Sequence, residues 1–358
     1  MDVAEIDDYL RQLTQDERFS GVVRLDRDCE PGVSGESTVL LRQAYGLASR
    51  TWQVPCEVTT RFDTASATKL FTAVAALQQV EAGAFGLDTR VIEYLGLSGT
   101  MISEEVTTYH LLTHSSGIGD DADEDAGEVY EDLFVDRPNY AIRATEDFLP
   151  QFIEKAPNFA PGKGCRYCNV GYVLLGLMVE RATALSYREY VVQNVFERAR
   201  MTHAGFASMD RVTPGVAEGA DPVLDPSGEV VGWRRNIYSF PPIGSPDAGA
   251  QVTADDLLSF HQALVRGDLL GADLTAAMLV PHVQYRPRGT GFHMTGFGFE
   301  FETDVAGQVR SYWKEGLNVG VSAALCHYPS AGITLAILSN MQDGVWEPIK
   351  KIEATLNL

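Results

Sequence analysis

Apolar side chains at Val3, Ile6, Leu10 and Leu13 recur at helical spacing, so residues 3–13 are predicted to form an amphipathic helix. Two runs of strand character follow, at 21–26 and 37–48. Turn formers fill 28–35, which predicts a hairpin. A helix is predicted over 66–82, with Leu70, Val74, Leu77 and Val80 on one face and Gly83 as its stop. The middle of the chain reads as mostly helical. An apolar run covers 170–179, and Ser186-Tyr187-Arg188-Glu189 is a capping box opening a helix to about 198. Thr253-Ala254-Asp255-Asp256 opens another helix, which Gly267 ends. Strand patterns return at 296–303, 310–314, 321–328 and 333–338, with a turn at Pro329-Ser330-Ala331-Gly332. Residues 346–358 read as a closing helix.

Strands at both ends and helices between them predict an α/β (α+β) architecture. Its antiparallel sheet is built from both termini, flanked by the terminal helices and interrupted by an inserted, mostly helical lobe. The expected partition is a sheet lobe of 1–65 and 250–358 and an inserted lobe of 66–249, with the active site at their interface.

Composition narrows the function classes. With 358 residues, 45% apolar and 22% charged, the chain is of ordinary globular make-up. Its 28 basic and 49 acidic residues leave a net charge of −21, which repels phosphate backbones and argues against a nucleic-acid partner. No apolar run approaches the roughly 20 residues needed to span a bilayer. The amino-terminal residues lack a basic and an apolar region, so a cytoplasmic location is expected. The cysteines number five, which does not suit a disulfide framework. Cys165-Arg166-Tyr167-Cys168 matches C-x-x-C, but no second pair or histidine follows at zinc-ligand spacing and no thioredoxin-like pattern surrounds it. No metal and no cofactor are expected. Residues 120–132 hold eight acidic residues in thirteen and read as a solvated loop. Asp121, Asp123 and Asp125 resemble the start of a calcium loop, but Ala126 and Asp132 stand where its glycine and glutamate belong.

Three segments carry candidate chemistry. In Ser66-Ala67-Thr68-Lys69 the hydroxyl and amine share a helix face, and the serine sits in a first turn whose free N–H groups favour developing negative charge. An amine with a lowered pKa can take the hydroxyl proton, which suits an acyl-transfer nucleophile; the same pattern is common as a surface pair. Tyr167-Cys168-Asn169 offers a phenol to share protons with Lys69 and an amide to hold a carbonyl, or simply a tyrosine packed at a helix start. Lys314-Glu315-Gly316 ends a strand pattern. There a glycine lets substrate approach the edge, and the N–H of Leu317 can join that of Ser66 as an oxyanion hole.

The three occur in the order S-x-x-K, Y-x-N, K-x-G, and the chain resembles the class C β-lactamase and serine carboxylesterase superfamily, with its penicillin-binding-protein-like, D-aminopeptidase and acyltransferase members. The segments 111–118 (LLTHSSGI), 169–176 (NVGYVLLG) and 248–257 (AGAQVTADDL) add to the likeness, which runs from about 21 to 340. The resemblance implies a β-lactamase/transpeptidase-like fold. It implies Ser66 as nucleophile, Lys69 and Tyr167 as the proton-handling pair, and Asn169, Lys314, Glu315 and Gly316 at the substrate. The backbone of Ser66 and Leu317 would form the oxyanion hole, and His114 would be a packing residue at a helix end. Two departures stand out. Cys168 replaces the usual Ser or Ala, and Glu315 replaces a Thr or Ser that helps bind a substrate carboxylate. The expectation is a serine hydrolase or acyltransferase working through an acyl-enzyme on a small ester or amide. Glu315 and the acidic segment would favour a neutral or cationic substrate. The alternatives are a β-lactamase proper and a non-catalytic binding or sensor protein of the same fold. The oligomeric state is left open.

Overall fold

The structure, a computed structural model, describes residues 3–28 and 37–358. Cys29 and the greater part of the 28–35 turn lie outside the described residues. One eight-stranded sheet organises the molecule. Its strands are β1 (Gly21–Arg27), β2 (Thr38–Tyr45), β3 (Val283–Arg288), β4 (Gly291–Thr295), β5 (Glu300–Thr303), β6 (Val309–Asn318), β7 (Val321–Tyr328) and β8 (Ile333–Ser339). Their spatial order is β2-β1-β8-β7-β6-β5-β4-β3, antiparallel throughout. The first and last strands lie side by side, with Gly21 opposite Ser339.

Alternation along β8 assigns the two faces. Ile333, Leu335 and Ile337 pack with Ile6, Leu10 and Leu13 of helix α1 (Val3–Gln15) and with Ile352 of the closing helix (Trp346–Leu356). Ala336 and Leu338 face the opposite side, toward Leu70 and Val74 of helix α2 (Lys69–Glu81), helix α3 (Asn169–Thr183) and helix α4 (Ala254–Val265). Every residue of β7 and β8 is buried. A sheet covered on both faces reads as a continuous apolar run, and truncating Leu335 to Ala would cost about 2–5 kcal/mol. Helix α2 is buried on nearly all sides, so it threads the core as a central helix.

The chain departs from its apolar pattern where local geometry intervenes. The run 37–48 breaks at Gly46, whose φ of +70° and closeness to Ser20 leave no room for a Cβ. The run 296–303 is a turn, Gly296 N–H to Phe299 O at 2.9 Å, followed by β5. The strand at 310–314 continues to Asn318 because β7 pairs with it throughout. The predicted helix at 186–198 is a short α-helix, Tyr187–Val191, followed by a π-turn, Val192–Phe196. Strands β3 and β4 and the hairpin of Ala220–Leu224 with Val230–Arg235 were not foreseen, since β3 and that hairpin are largely exposed and Pro287, Pro222 and Gly232 interrupt their patterns. Arg286, Pro287 and Arg288 on outermost β3 protect the edge against further pairing. Among the described residues no helix is long and apolar enough to cross a membrane.

Candidate functional site

Ser66 stands in a single 3₁₀ turn, Ala65–Thr68, leading into α2. The turn is clamped on three sides. Phe62 and Asp63 pair with Val252 and Gln251. Thr64 donates to Ala250 O from both its N–H and its hydroxyl, each at 2.9 Å. Ala65 has a φ of +40°, a conformation that strains an L-residue, and Asp63 Oδ1 accepts its N–H at 2.7 Å. Burial raises the Asp63 carboxyl to about 6, against that hydrogen bond. The fourth wall is β6. A Cβ on Gly316 would lie 2.0 Å from Thr64 O and 2.9 Å from Ser66 N, so only glycine lets the strand meet the serine turn.

Lys69 is completely buried, and its ammonium has three acceptors: Ser66 Oγ at 3.0 Å, Asn169 Oδ1 at 2.7 Å and Asp247 O at 2.8 Å. Burial, reinforced by Lys314, lowers its pKa to about 8; Asp247 opposes the shift. The half-buried Tyr167 ring lies close to both ammonium groups, its centroid 5.0 Å from Lys69 Nζ and 4.7 Å from Lys314 Nζ. Burial and then Glu124 push its phenol well above the usual range, against a hydrogen bond with Ser66. His114, itself at φ +56°, stacks under Tyr167 at 4.6 Å and accepts the Cys168 N–H on Nδ1 at 3.1 Å. Burial and the two lysines hold it well below the ordinary histidine value, so it packs as a neutral ring.

Asn169 opens α3, and a residue that the sequence did not single out holds it there. Asp120 accepts the N–H groups of Asn169 at 2.9 Å and Val170 at 3.0 Å, capping the helix. Burial raises Asp120 to about 6 despite those bonds. The acidic segment is therefore not a solvated loop throughout. Asp120 and Asp121 are buried, Asp123 pairs with Arg166 at 2.7 Å, and only Glu124 onward is largely exposed. The Cys168 thiol points to Asp120 at 3.7 Å, whereas Cys165 meets Thr295 and Thr113, so the C-x-x-C thiols serve separate neighbours. Both are free.

On β6 the side chains alternate. Lys314 is buried on the α2 side, but its ammonium is bound to Glu300 Oε1 at 2.7 Å, while Glu300 Oε2 meets His293 Nε2 at 2.7 Å. Although burial opposes it, Lys314 and then His293 hold Glu300 far below the usual carboxylate range. Glu315 leaves the other face of the sheet. It pairs with Ala324 and lines a cavity with Trp313, Tyr328 and Trp346 beside the closing helix. The expectation that Glu315 meets the substrate beside Ser66 is thus corrected by strand alternation. Ser66, Asn169 and Leu317, by contrast, share the wall of a cavity of about 310 Å³ with Glu124, Tyr130 and Asp247. A cavity of about 390 Å³ lined by Trp52, Phe62, Met209 and Phe240 borders the serine turn at Asp63 and contains none of the sequence-predicted residues.

Ser66, Lys69, Tyr167, Asn169, Lys314 and Gly316 are thus brought together, with Leu317 on the cavity rim. Sequence reasoning missed Asp120, Glu300 and the Asp247 carbonyl, since each acts from a remote segment with no local signature.

A mixed fold whose central helix begins at a serine–lysine pair, facing a tyrosine from a second helix start and a lysine from the sheet, defines a β-lactamase/transpeptidase-type protein. The model of the Beta-lactamase family matches residues 6–357, and the chain belongs to that family. It is 32% identical over 212 residues to esterase EstB of Burkholderia gladioli, covering 58% of this chain and 52% of the esterase. It is 28% identical over 165 residues to penicillin-binding protein 4* of Bacillus subtilis, covering 46% of this chain and 34% of that protein. The chain therefore spans about half or less of the length of these curated relatives. The solved penicillin-binding protein from Bacillus halodurans superimposes with a TM-score of 0.85 at 34% identity, over 97% of this chain and 99% of that one.

Proposed function

We propose that the chain is a serine hydrolase or acyltransferase that takes a small ester or amide through an acyl-enzyme on Ser66. The observation that carries this reading is the buried Lys69 amine, lowered to about 8 and 3.0 Å from the Ser66 hydroxyl. In its neutral form the amine accepts the Ser66 proton as Oγ bonds to the carbonyl carbon. The N–H groups of Ser66 and Leu317 receive the developing oxyanion. The proton then passes to the leaving alcohol or amine as its bond to the acyl carbon breaks. Water or another acceptor attacks the acyl-enzyme by the same route in reverse. Lys69 is the base in this scheme and Tyr167 the protonated relay, because burial moves the amine toward neutrality and the phenol away from ionisation.

Three further parts belong to the proposal. The lobes 1–65 with 250–358 and 66–249 meet at the site, consistent with Leu317 and Ser66 lining one cavity from different segments. Free thiols at Cys56, Cys165, Cys168 and Cys326 suit a reducing, cytoplasmic setting. The ester or amide reading is preferred to a β-lactamase proper because β-lactams carry a carboxylate, and the charge of Lys314 is already matched by Glu300. The named esterase relative is consistent with this preference.

Intact-protein mass spectrometry after exposure to a fluorophosphonate, a p-nitrophenyl ester and nitrocefin tests the reading. The expected result is a single adduct with the phosphonate and turnover of the ester, both lost in Ser66→Ala. An unlabelled wild-type protein that hydrolyses none of the three would overturn it in favour of a non-catalytic module.

A further inference from the structure

The serine turn bends at a residue that resists the bend. Ala65, immediately before Ser66, sits at φ +40°, where an L-side chain is crowded and glycine is the ordinary choice. Its methyl is buried and packs with Phe240 and Val321, so alanine fills a space that glycine would leave open. The bend delivers the next two residues against β6. Ser66 N and Ala67 N lie 2.9 and 3.0 Å from where a Cβ on Gly316 would stand.

Two hydrogen bonds hold Ala65 in place. Its carbonyl accepts the Gly249 N–H at 3.3 Å, and Asp63 Oδ1 accepts its N–H at 2.7 Å, much the shorter of the two. The other ties of the turn, from Thr64 to Ala250, Ala67 to Thr64 and Ala250 to the Thr68 hydroxyl, pass over Ala65. Asp63 is itself fixed, because it pairs with Gln251 and follows the buried Phe62. Among the described residues the Ala65 N–H is the carboxylate's single hydrogen-bond partner. Burial raises this acid to about 6, so its place costs it solvation that one bond only partly returns. An acid kept at that cost beside a strained residue, one step from the nucleophile, does more than fill space.

Resting on the serine-hydrolase reading, we propose that Asp63 is a positioning residue for the acylation step. Its carboxylate holds Ala65 at positive φ. That sets the Ser66 hydroxyl toward Lys69 and the Ser66 N–H beside that of Leu317. Asp63 touches neither the substrate nor the reacting atoms; it acts through the backbone of Ala65. Without the bond, Ala65 relaxes toward negative φ and carries the serine out of register with the amine and the oxyanion donors. Glycine at 65 has no such tendency and needs no such hold.

The test compares Asp63→Ala, Asp63→Asn, Ala65→Gly and the double variant Asp63→Ala/Ala65→Gly with wild type. The readouts are p-nitrophenyl ester hydrolysis and the rate of fluorophosphonate labelling. Asp63→Ala is expected to lose about 100-fold in kcat with KM little changed, and to label more slowly in step. Asp63→Asn keeps an Oδ1 acceptor and retains most of kcat. Adding Ala65→Gly to Asp63→Ala restores at least about 10-fold, because the strain that the carboxylate opposes is gone. A merely structural acid would lower the melting temperature, leave kcat per folded molecule unchanged and gain nothing from the glycine. If Asp63→Ala does not fold, the double variant is read against Ala65→Gly; equal kcat is expected, and a further drop of about 100-fold overturns the proposal. Wild-type kcat in folded Asp63→Ala, a loss that Ala65→Gly leaves untouched, or Asp63→Asn as slow as Asp63→Ala overturns the positioning role alone, since wild type still labels and turns over. A wild-type protein that neither labels nor turns over ester overturns the hydrolase reading and the positioning role with it.

Discussion

Replacing Gly316 by alanine probes the closest approach in the site. The new Cβ would fall 2.0 Å from Thr64 O, 2.9 Å from Ser66 N and 3.0 Å from Ala67 N. Ordinary contacts begin near 3.4 Å, so β6 and the serine turn must separate by more than 1 Å along the Thr64 direction. Neither side yields easily. β6 is paired with β7 from Tyr312 to Asn318, and the serine turn is tied to Ala250 and Asp63. Overpacking of this kind costs about 1–3 kcal/mol in stability. A displacement of about 1 Å between nucleophile and oxyanion donors costs about 100-fold in rate. Gly316→Ala is therefore expected to keep its fold, melt a few degrees lower, and lose at least about 100-fold in kcat for p-nitrophenyl ester hydrolysis with slower phosphonate labelling. Gly232→Ala, where an added Cβ meets nothing within 4 Å, is the control. Wild-type kcat and melting temperature in Gly316→Ala would refute the argument that the glycine exists to bring strand and serine together.

Other consequences follow from the charges. Because Lys69 must be neutral to accept a proton and titrates at about 8, kcat/KM should rise with pH through about 8; a pH profile flat between 6.5 and 9 counts against Lys69 as base. Lys69→Met should cost about 10²–10⁴-fold in acylation rate, measured by single-turnover burst kinetics. Asp120→Asn leaves the α3 start with one carboxylate acceptor fewer and should lower stability by about 1–2 kcal/mol, read from the urea midpoint at pH 7.5. Burial holds His261 to about 3 and His327 to about 4. Below pH 6.5 the unfolded chain then binds protons that the folded one refuses, and stability falls by about 3 kcal/mol for each histidine by pH 4. His327→Gln should remove its share of that slope in urea titrations between pH 7 and 4.

Legibility in the sequence tracks locality. The strands at 321–328 and 333–338 stand out because both sheet faces are covered and every position but His327 is apolar or small. Helix α2 is readable because its apolar residues are contiguous and Gly83 ends it. The hairpin β3–β4 and the exposed hairpin near 220–235 are not, since Pro287, Pro222 and Gly232 interrupt their strand patterns. The site divides in the same way. Ser66 and Lys69 are three residues apart and announce themselves on one helix face. Asp120 caps a helix that begins 49 residues later, and Glu300 reaches Lys314 from the neighbouring strand, so each relationship depends on how separate elements pair or pack.

By itself, then, the order of residues determined the family and the fold class, and it singled out the serine, lysine and tyrosine proposed as catalytic, because periodicity and short motifs are local properties. The tertiary structure alone decided the electrostatics: which charges are paired, which are buried and which side of a strand each faces. Lys314 and Glu315 are neighbours in the chain, yet one joins Tyr167 and Glu300 beneath α2 and the other lies beyond the sheet. Pleating sends successive side chains to opposite faces, and only the folded sheet shows which face holds the serine.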